Sequence, residues 1–124
     1  MLKGKSVQSY QDLVVWQKAM SLVSEVFRLS QKFPKEEIFT LTSQIRRSAI
    51  SIPSNIAEGQ GKSSSGEFRL FLGHAKGSLA EMETQVLIAK HLNYLTESET
   101  NHLVELSSEV GRILNGLLSA IKKN

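Results

Sequence analysis

Two short motifs in this chain have residue types that could support catalysis or metal binding. Gly61-Lys62-Ser63 resembles the end of a phosphate-binding loop, but that loop also needs a glycine where the chain has Ile56, and a strand before it. Glu99 and His102 have the spacing of half a carboxylate-bridged metal site, but no second Glu-x-x-His pair is present. No serine has the strand-turn-helix context of a hydrolase nucleophile. We therefore predict no enzyme activity, no cofactor and no metal site.

A third group of residues has spacing suited to a contact surface. Polar residues from Gln44 to Glu58 repeat at steps of four and three, so they lie along one face of a helix beside an apolar stripe that contains Ile45. Their side chains are short and carry little charge, which is unusual for a solvated helix face. We predict that this polar face contacts another subunit.

Basic residues suggest a different partner, a nucleic acid. The net charge is +3, the isoelectric point is about 9.3, and the positive surplus lies in the first half of the chain. We predict that the basic side chains line one end of the second and third helices, where arginine can bind phosphate. A salt bridge from Arg47 to Glu58 or Glu81 of a neighbouring subunit is the alternative use. The predicted nucleic-acid contacts are Arg46, Arg47, Lys62, Arg69 and Lys76.

The composition is that of one globular domain, residues 1–124. The chain has 124 residues, of which 40% are hydrophobic and 22% are charged. It has no cysteine, which excludes thiol catalysis, disulfides and thiolate zinc sites and favours a cytoplasmic location. No apolar run approaches the roughly 18 residues of a membrane span, so we expect no membrane contact.

Helical periodicity appears four times, and strand-like alternation is absent. The predicted helices span about residues 10–32, 37–58, 64–93 and 97–122. We expect Pro53 to kink the second helix, and Gly59 and Gly61 to end it with positive φ angles. Because the three connections are short, consecutive helices must be antiparallel. The predicted fold is all-α, an antiparallel up-down-up-down four-helix bundle.

Small residues form a further stripe on the third helix, at Gly73, Gly77, Ala80 and Thr84. A glycine inside a helix costs about 1 kcal/mol relative to alanine, so close approach of another helix is the expected compensation. That second helix belongs either to the same bundle or to another subunit. The predicted subunit interface combines both stripes: Gln44, Arg47, Ser48, Ser51, Asn55, Glu58, Gly73, Gly77 and Glu81.

Four segments together carry a family resemblance. They are YQDLVVWQKA at 10–19, LTSQIRRS at 41–48, SIPSNIAEG at 51–59 and GSLAE at 77–81. The chain resembles the bacterial four-helix-bundle proteins first noticed as reading frames within intervening sequences of 23S rRNA genes. That family is similar in turn to the accessory variability determinant of diversity-generating retroelements.

The resemblance implies a ring-like homopentamer with no established catalytic activity. For the retroelement relative it implies a basic pentamer that contacts nucleic acid and a reverse transcriptase. Two hypotheses follow: a non-enzymatic homo-oligomeric scaffold or adaptor, or a nucleic-acid-binding accessory protein. The expected partners are further copies of the chain and, under the second hypothesis, a nucleic acid or a nucleic-acid enzyme.

Overall fold

Four α-helices account for most of the computed structural model, which describes residues 9–121. No strand is present in this part of the chain, so the predicted all-α class is confirmed. A 3₁₀-helix precedes α1 and another lies between α1 and α2. The 3₁₀-helices are Tyr10–Asp12 and Lys35–Glu37, and the α-helices are α1 (Val14–Ser30), α2 (Leu41–Gln60), α3 (Ser65–His91) and α4 (Glu97–Ala120).

The helix boundaries differ from the predicted ones mainly in the first half of the chain. Ser9 caps the first 3₁₀-helix through a capping box, and Leu13 then adopts an extended conformation, so α1 begins only at Val14. The second helix was predicted to begin at about residue 37, but that residue belongs to the 3₁₀-helix Lys35–Glu37. The capping boxes predicted the starts of α3 and α4 to within one residue. The predicted end at residue 122 lies outside the described residues.

Gly61 is the C-cap of α2, but the positive φ angles predicted for Gly59 and Gly61 are wrong. α2 continues through Pro53 and Gly59 to Gln60, and no glycine between residues 9 and 121 has a positive φ. The left-handed position is instead Asn93, after α3, with φ 63°. The backbone N–H of Tyr94 bonds to the carbonyl of Ala89 there, as in a Schellman motif. A left-handed cap therefore ends α3 rather than α2.

Every neighbouring pair of helices is antiparallel. Each helix contacts the next one along the chain, and α4 returns to contact α1. The start of α2 meets the end of α1, where Arg46 donates from Nε to the Ser30 hydroxyl at 2.8 Å. The start of α4 also meets the end of α1, where Lys32 pairs with Glu99. The predicted up-down-up-down bundle is confirmed. Side chains with no exposed surface fill its centre from all four helices, among them Leu22, Ile52, Met82 and Leu114.

An ion-pair cluster on α1 and α4 makes stability depend on pH. The Glu25 carboxylate accepts two hydrogen bonds from Arg28, at 2.7 and 3.1 Å, and lies 2.8 Å from Nε2 of His102. Chiefly because of the Arg28 hydrogen bonds, and then the His102 contact, the pKa of Glu25 falls from 4.5 to about 2. The cluster therefore favours the folded state most when Glu25 is ionised.

We expect this contribution of Glu25 to be lost in acid. A carboxyl with a lower pKa in the folded state stabilises the fold fully above its unfolded pKa, and progressively less as pH falls from about 4.5 to about 2. Urea unfolding of the parent and of Glu25→Gln should differ most at neutral pH and converge near pH 2. A stability difference that does not change with pH would contradict this assignment.

Candidate interaction surfaces

The polar face of α2 packs largely against α3 of the same chain. The Ser48 hydroxyl donates to Oε1 of Gln85 at 2.6 Å, and the Ser51 and Ser78 hydroxyls lie 2.7 Å apart. Asn55 donates to the carbonyl and hydroxyl oxygens of Ser51. These contacts satisfy the short polar side chains within one bundle. The hydrogen bonds along this face therefore join two helices of the same chain.

This geometry corrects one predicted subunit contact. Ser48 is only 3% exposed, and its hydroxyl donates to Gln85 of the same chain. Ser48 is therefore not accessible to a second subunit. Ser51 and Asn55 are half-buried in the same seam, whereas Gln44, Arg47, Glu58 and Glu81 are exposed. Only the edges of the predicted polar face are therefore accessible.

Gly59 lies where α2 and α3 approach closely. A Cβ added at Gly59 would lie 2.7 Å from Cβ of Phe71 and 3.0 Å from Cδ1 of Phe68. These distances are shorter than carbon atoms tolerate, so only glycine fits without movement of the helices. The close helix packing expected at Gly73 and Gly77 thus occurs within the chain at Gly59.

The small residues of α3 face outward. Among residues 9–121, a Cβ added at Gly73 or Gly77 would meet nothing within 4 Å, so no contact in this part of the chain requires either glycine. Ala80 and Thr84 continue the same exposed stripe, and the Thr84 hydroxyl already donates to the Ala80 carbonyl at 2.9 Å. The Thr84 side chain therefore needs no hydrogen bond from solvent. Of the two explanations for this stripe, contact within the bundle is excluded for the described residues.

Leucines flank the small residues on this face. Leu70 is 56% exposed and Leu87 is 53% exposed. The two leucines and the small residues between them follow one another at steps of three or four positions, so they lie along one line of the helix surface. No charged residue lies on this line between Gly66 and His91. The outward face of α1 is different, since it carries Gln17, Ser21, Ser24 and Arg28. The name α3 outer stripe is used below for Leu70, Gly73, Gly77, Ala80, Thr84 and Leu87.

The structure separates the five predicted nucleic-acid contacts into distant groups. Arg46 and Arg47 lie in the first half of α2, whereas Lys62 follows its end, about 22 Å further along the helix direction. Lys62 lies 4.0 Å from Glu58, and Arg69 donates to the carbonyl of Leu118 on α4. Lys76 lies on exposed surface midway along α3. The prediction that these residues line one end of α2 and α3 is wrong, because Arg46 and Arg47 lie toward the start of α2 and Lys62 lies beyond its end.

Arg46 and Arg47 belong instead to a groove beside the start of α2. Two depressions of about 420 and 340 Å³ adjoin there and share Ile38, Thr42 and Arg46. Thr42 is 3% exposed, and its hydroxyl has no hydrogen-bonding partner among the described residues. The name α2 groove is used below for the surface formed by Ile38, Thr42, Ser43, Arg46, Arg47 and Ile50.

We expect Thr42→Val to stabilise the isolated protein. Valine has nearly the same shape as threonine, and the change removes a buried hydroxyl that has no partner, at a gain of about 1 kcal/mol. Urea unfolding of the two proteins measures this difference. If Thr42→Val is instead less stable by about 1 kcal/mol, the hydroxyl does form a hydrogen bond in the folded protein.

The described residues hold no group of three or more histidine, cysteine or acidic side chains that could bind a metal ion. Between residues 9 and 121, no helix combines the length and the apolar character needed to cross a membrane. Glu99, of the half-motif of a metal site, instead forms an ion pair with Lys32, just after α1, and His102 lies 2.8 Å from the Glu25 carboxylate on α1. This arrangement makes Glu99 and His102 part of the contact between α1 and α4.

Comparison with known proteins agrees with this architecture. A profile of the family described as 23S rRNA-intervening sequence protein matches residues 11–116, which is most of the chain. The chain belongs to this family. No curated protein gives a significant sequence match.

A solved structure has the same fold as this 23S rRNA-intervening sequence protein. It is a protein of unknown function from the S23 ribosomal protein family of Bacteroides thetaiotaomicron VPI-5482. The two share 24% sequence identity with a TM-score of 0.79, over 85% of this chain and 98% of that one. At this level of identity, the similarity establishes the fold.

Several residues of these surfaces were missed in the sequence. Leu70 and Leu87 were absent from the predicted interface, although their spacing from Gly73 and Ala80 continues the same helical stripe. The absence of charged residues along that stripe could have identified both leucines as part of a contact surface. Thr42 had no such signal, because an unpaired hydroxyl is recognised only when its surroundings are known.

Proposed function

We propose that this 23S rRNA-intervening sequence protein is a non-enzymatic cytoplasmic scaffold or adaptor that works as a homo-oligomer. Its helices supply the frame, and the α3 outer stripe supplies the contact between subunits. The described residues present surfaces suited to binding rather than a catalytic constellation. The family is one of unknown function, so the proposal rests on the surfaces of this chain.

The observation that carries the proposal is the α3 outer stripe. Each glycine in a helix interior costs about 1 kcal/mol, and no close contact with another described residue offsets that cost at Gly73 or Gly77. A helix from another subunit would approach closely there, while Leu70 and Leu87 would bury apolar surface on either side. Contact between chains therefore explains both the glycines and the lack of charge.

The proposed number of subunits is five, carried over from the family resemblance. A ring needs two different surfaces on each subunit, since each chain contacts one neighbour through each of them. The α3 outer stripe is one, and exposed surface that includes Glu58 on α2 and Glu81 on α3 is the candidate for the other.

Light scattering of the purified protein tests this proposal. A homo-oligomer should give a mass that is a multiple of the 13.8 kDa chain mass, and a pentamer five times that value. A mass of one chain at every protein concentration tried would refute the scaffold. A stable oligomer of another size would support the scaffold proposal and change the proposed number of subunits.

The alternative function is that of a nucleic-acid-binding accessory protein. On one chain the five basic residues are dispersed, so a continuous basic surface would require several subunits placed side by side. Such binding would weaken steeply as salt increases, because neutralising phosphates releases counterions. The separation of Arg46 and Arg47 from Lys62 makes this alternative the weaker of the two.

A further inference from the structure

The α2 groove has the dimensions of a short extended peptide. Its two depressions adjoin at Thr42 and Arg46 and continue along α2 to Ile50. From Leu41 to Ile50 the helix rises about 14 Å, which is the length of about four extended residues. The groove is therefore long enough for a short segment of another protein.

Positive charge dominates the lining of this groove. Arg46, Arg47 and Lys35 line the two depressions, and no carboxylate does. The nearby Glu37 carboxylate accepts hydrogen bonds from the hydroxyls of Thr40 and Tyr94. Those bonds hold the pKa of Glu37 below its usual value. Glu36 is exposed on the same 3₁₀-helix and is the other acid nearby. The charge of the lining suits an acidic occupant.

The two arginines differ in how they are held. Arg46 donates from Nε to the Ser30 hydroxyl at 2.8 Å, and its guanidinium lies 4.8 Å from the centre of the Phe27 ring. Its terminal nitrogens remain available for a ligand. Arg47 is exposed and forms no hydrogen bond or ion pair with another described residue. Both arginines line the depression that Thr42 and Ser43, in the first turn of α2, also line.

Further hydrogen-bond donors surround that first turn. The Thr40 side chain does not cap α2, and the backbone N–H groups of Thr42 and Ser43 have no backbone acceptor. The Thr42 hydroxyl is buried beside the groove and is also without a partner among residues 9–121. The residues with free N–H groups, Thr42 and Ser43, thus line the same depression as both arginines.

We propose that the α2 groove binds an extended segment of a partner protein in which an acidic residue has a large apolar residue two positions away on either side, so that all three side chains lie on the face toward the groove. A carboxylate of the segment lies between the guanidinium groups of Arg46 and Arg47, close to the first turn of α2. Its apolar side chains pack on Ile38 and Ile50, which are 47% and 45% exposed. These aliphatic side chains suit a peptide better than a nucleic-acid backbone. The inference rests on the adaptor function, for which it names the chemistry of the partner.

Calorimetric titration of the full chain with synthetic peptides tests this inference. The probe is a blocked five-residue peptide with leucine at its first and last positions, glutamate at its third position and alanine between them, and the matched probe has glutamine in place of glutamate. The glutamate peptide should bind about tenfold more tightly, because a charge-assisted contact to arginine is stronger than a neutral one. Arg47→Gln should remove that preference, whereas Lys76→Gln on exposed surface of α3 should retain it.

Three results would overturn the inference. The glutamate peptide does not bind at about 1 mM, or Arg47→Gln binds it as well as the parent does. The third is that single-stranded oligothymidylate binds more tightly than the peptide and depends on Arg47 in the same way, which would assign the groove to nucleic acid.

The same titration with an assembly-defective chain separates this inference from the scaffold. The groove is formed by one chain, so Ala80→Arg, on the far side of α3, should bind the glutamate peptide as the parent does. If the parent is monomeric and binds the peptide, the scaffold proposal is wrong and the peptide-binding proposal is supported. If the parent assembles and does not bind the peptide, the peptide-binding proposal is wrong and the scaffold proposal is supported.

Discussion

Ala80→Arg should convert the assembled protein into monomers. Ala80 lies midway along the α3 outer stripe and is exposed on the single chain, so an arginine there leaves the bundle intact. In the assembly it would place a long charged side chain where two helices approach closely. Burial of an unpaired charge together with overpacking costs several kcal/mol, enough to abolish the contact. Light scattering should show the mass of one chain, and circular dichroism should show unchanged helicity.

Ser24→Arg is the matched control for this change. It introduces the same side chain at an exposed position midway along α1, outside the α3 outer stripe. This variant should assemble like the parent. If Ala80→Arg also keeps the parent mass, the α3 outer stripe does not lie between subunits.

Gly59→Ala should destabilise the fold itself. The added Cβ would lie 2.7 Å from Cβ of Phe71, an atom fixed to the α3 backbone, so α2 and α3 must move apart. Alanine is the better helix former by about 1 kcal/mol, but overpacking of this kind costs more. We expect a net loss of about 1 to 3 kcal/mol in the free energy of unfolding, measured with urea.

Gly116→Ala is the corresponding control on α4. A Cβ at Gly116 meets nothing within 4 Å, so that variant gains helix propensity with no clash and should be more stable by up to about 1 kcal/mol. If Gly59→Ala is as stable as Gly116→Ala, the close contact between α2 and α3 at Gly59 is not real.

The fold was predictable because its signals are local. Apolar residues repeat with helical period over long stretches, and capping boxes mark the starts of α3 and α4. The 3₁₀-helix at Tyr10–Asp12 was not predicted, because it carries the same polar and apolar spacing as the first turn of an α-helix. A position such as Asn93, which adopts φ 63°, also lacks the glycine that usually marks it.

The candidate surfaces were only partly predictable, because periodicity identifies a helix face but not what the face meets. Ser48 and Ser51 were correctly placed on one stripe, yet the stripe packs against Gln85 and Ser78 of the same chain. The dispersed basic residues are a different case. About fifteen residues, nearly all of them in α2, separate Arg47 from Lys62, so the two lie about 22 Å apart along that helix. The predicted length of the second helix was therefore already inconsistent with a basic surface at one end of the bundle that contains both residues.

The central claim, that the α3 outer stripe is buried between subunits, is tested most directly by thiol reactivity. The chain has no cysteine, so Ala80→Cys and Ser24→Cys each introduce a single thiol. Both positions are exposed on one chain, and in denaturant both thiols should react with a maleimide at similar rates. In the native protein we predict that the thiol at position 80 reacts at least about tenfold more slowly than the one at position 24, since the thiolate must be accessible to react. Equal native rates would contradict the account.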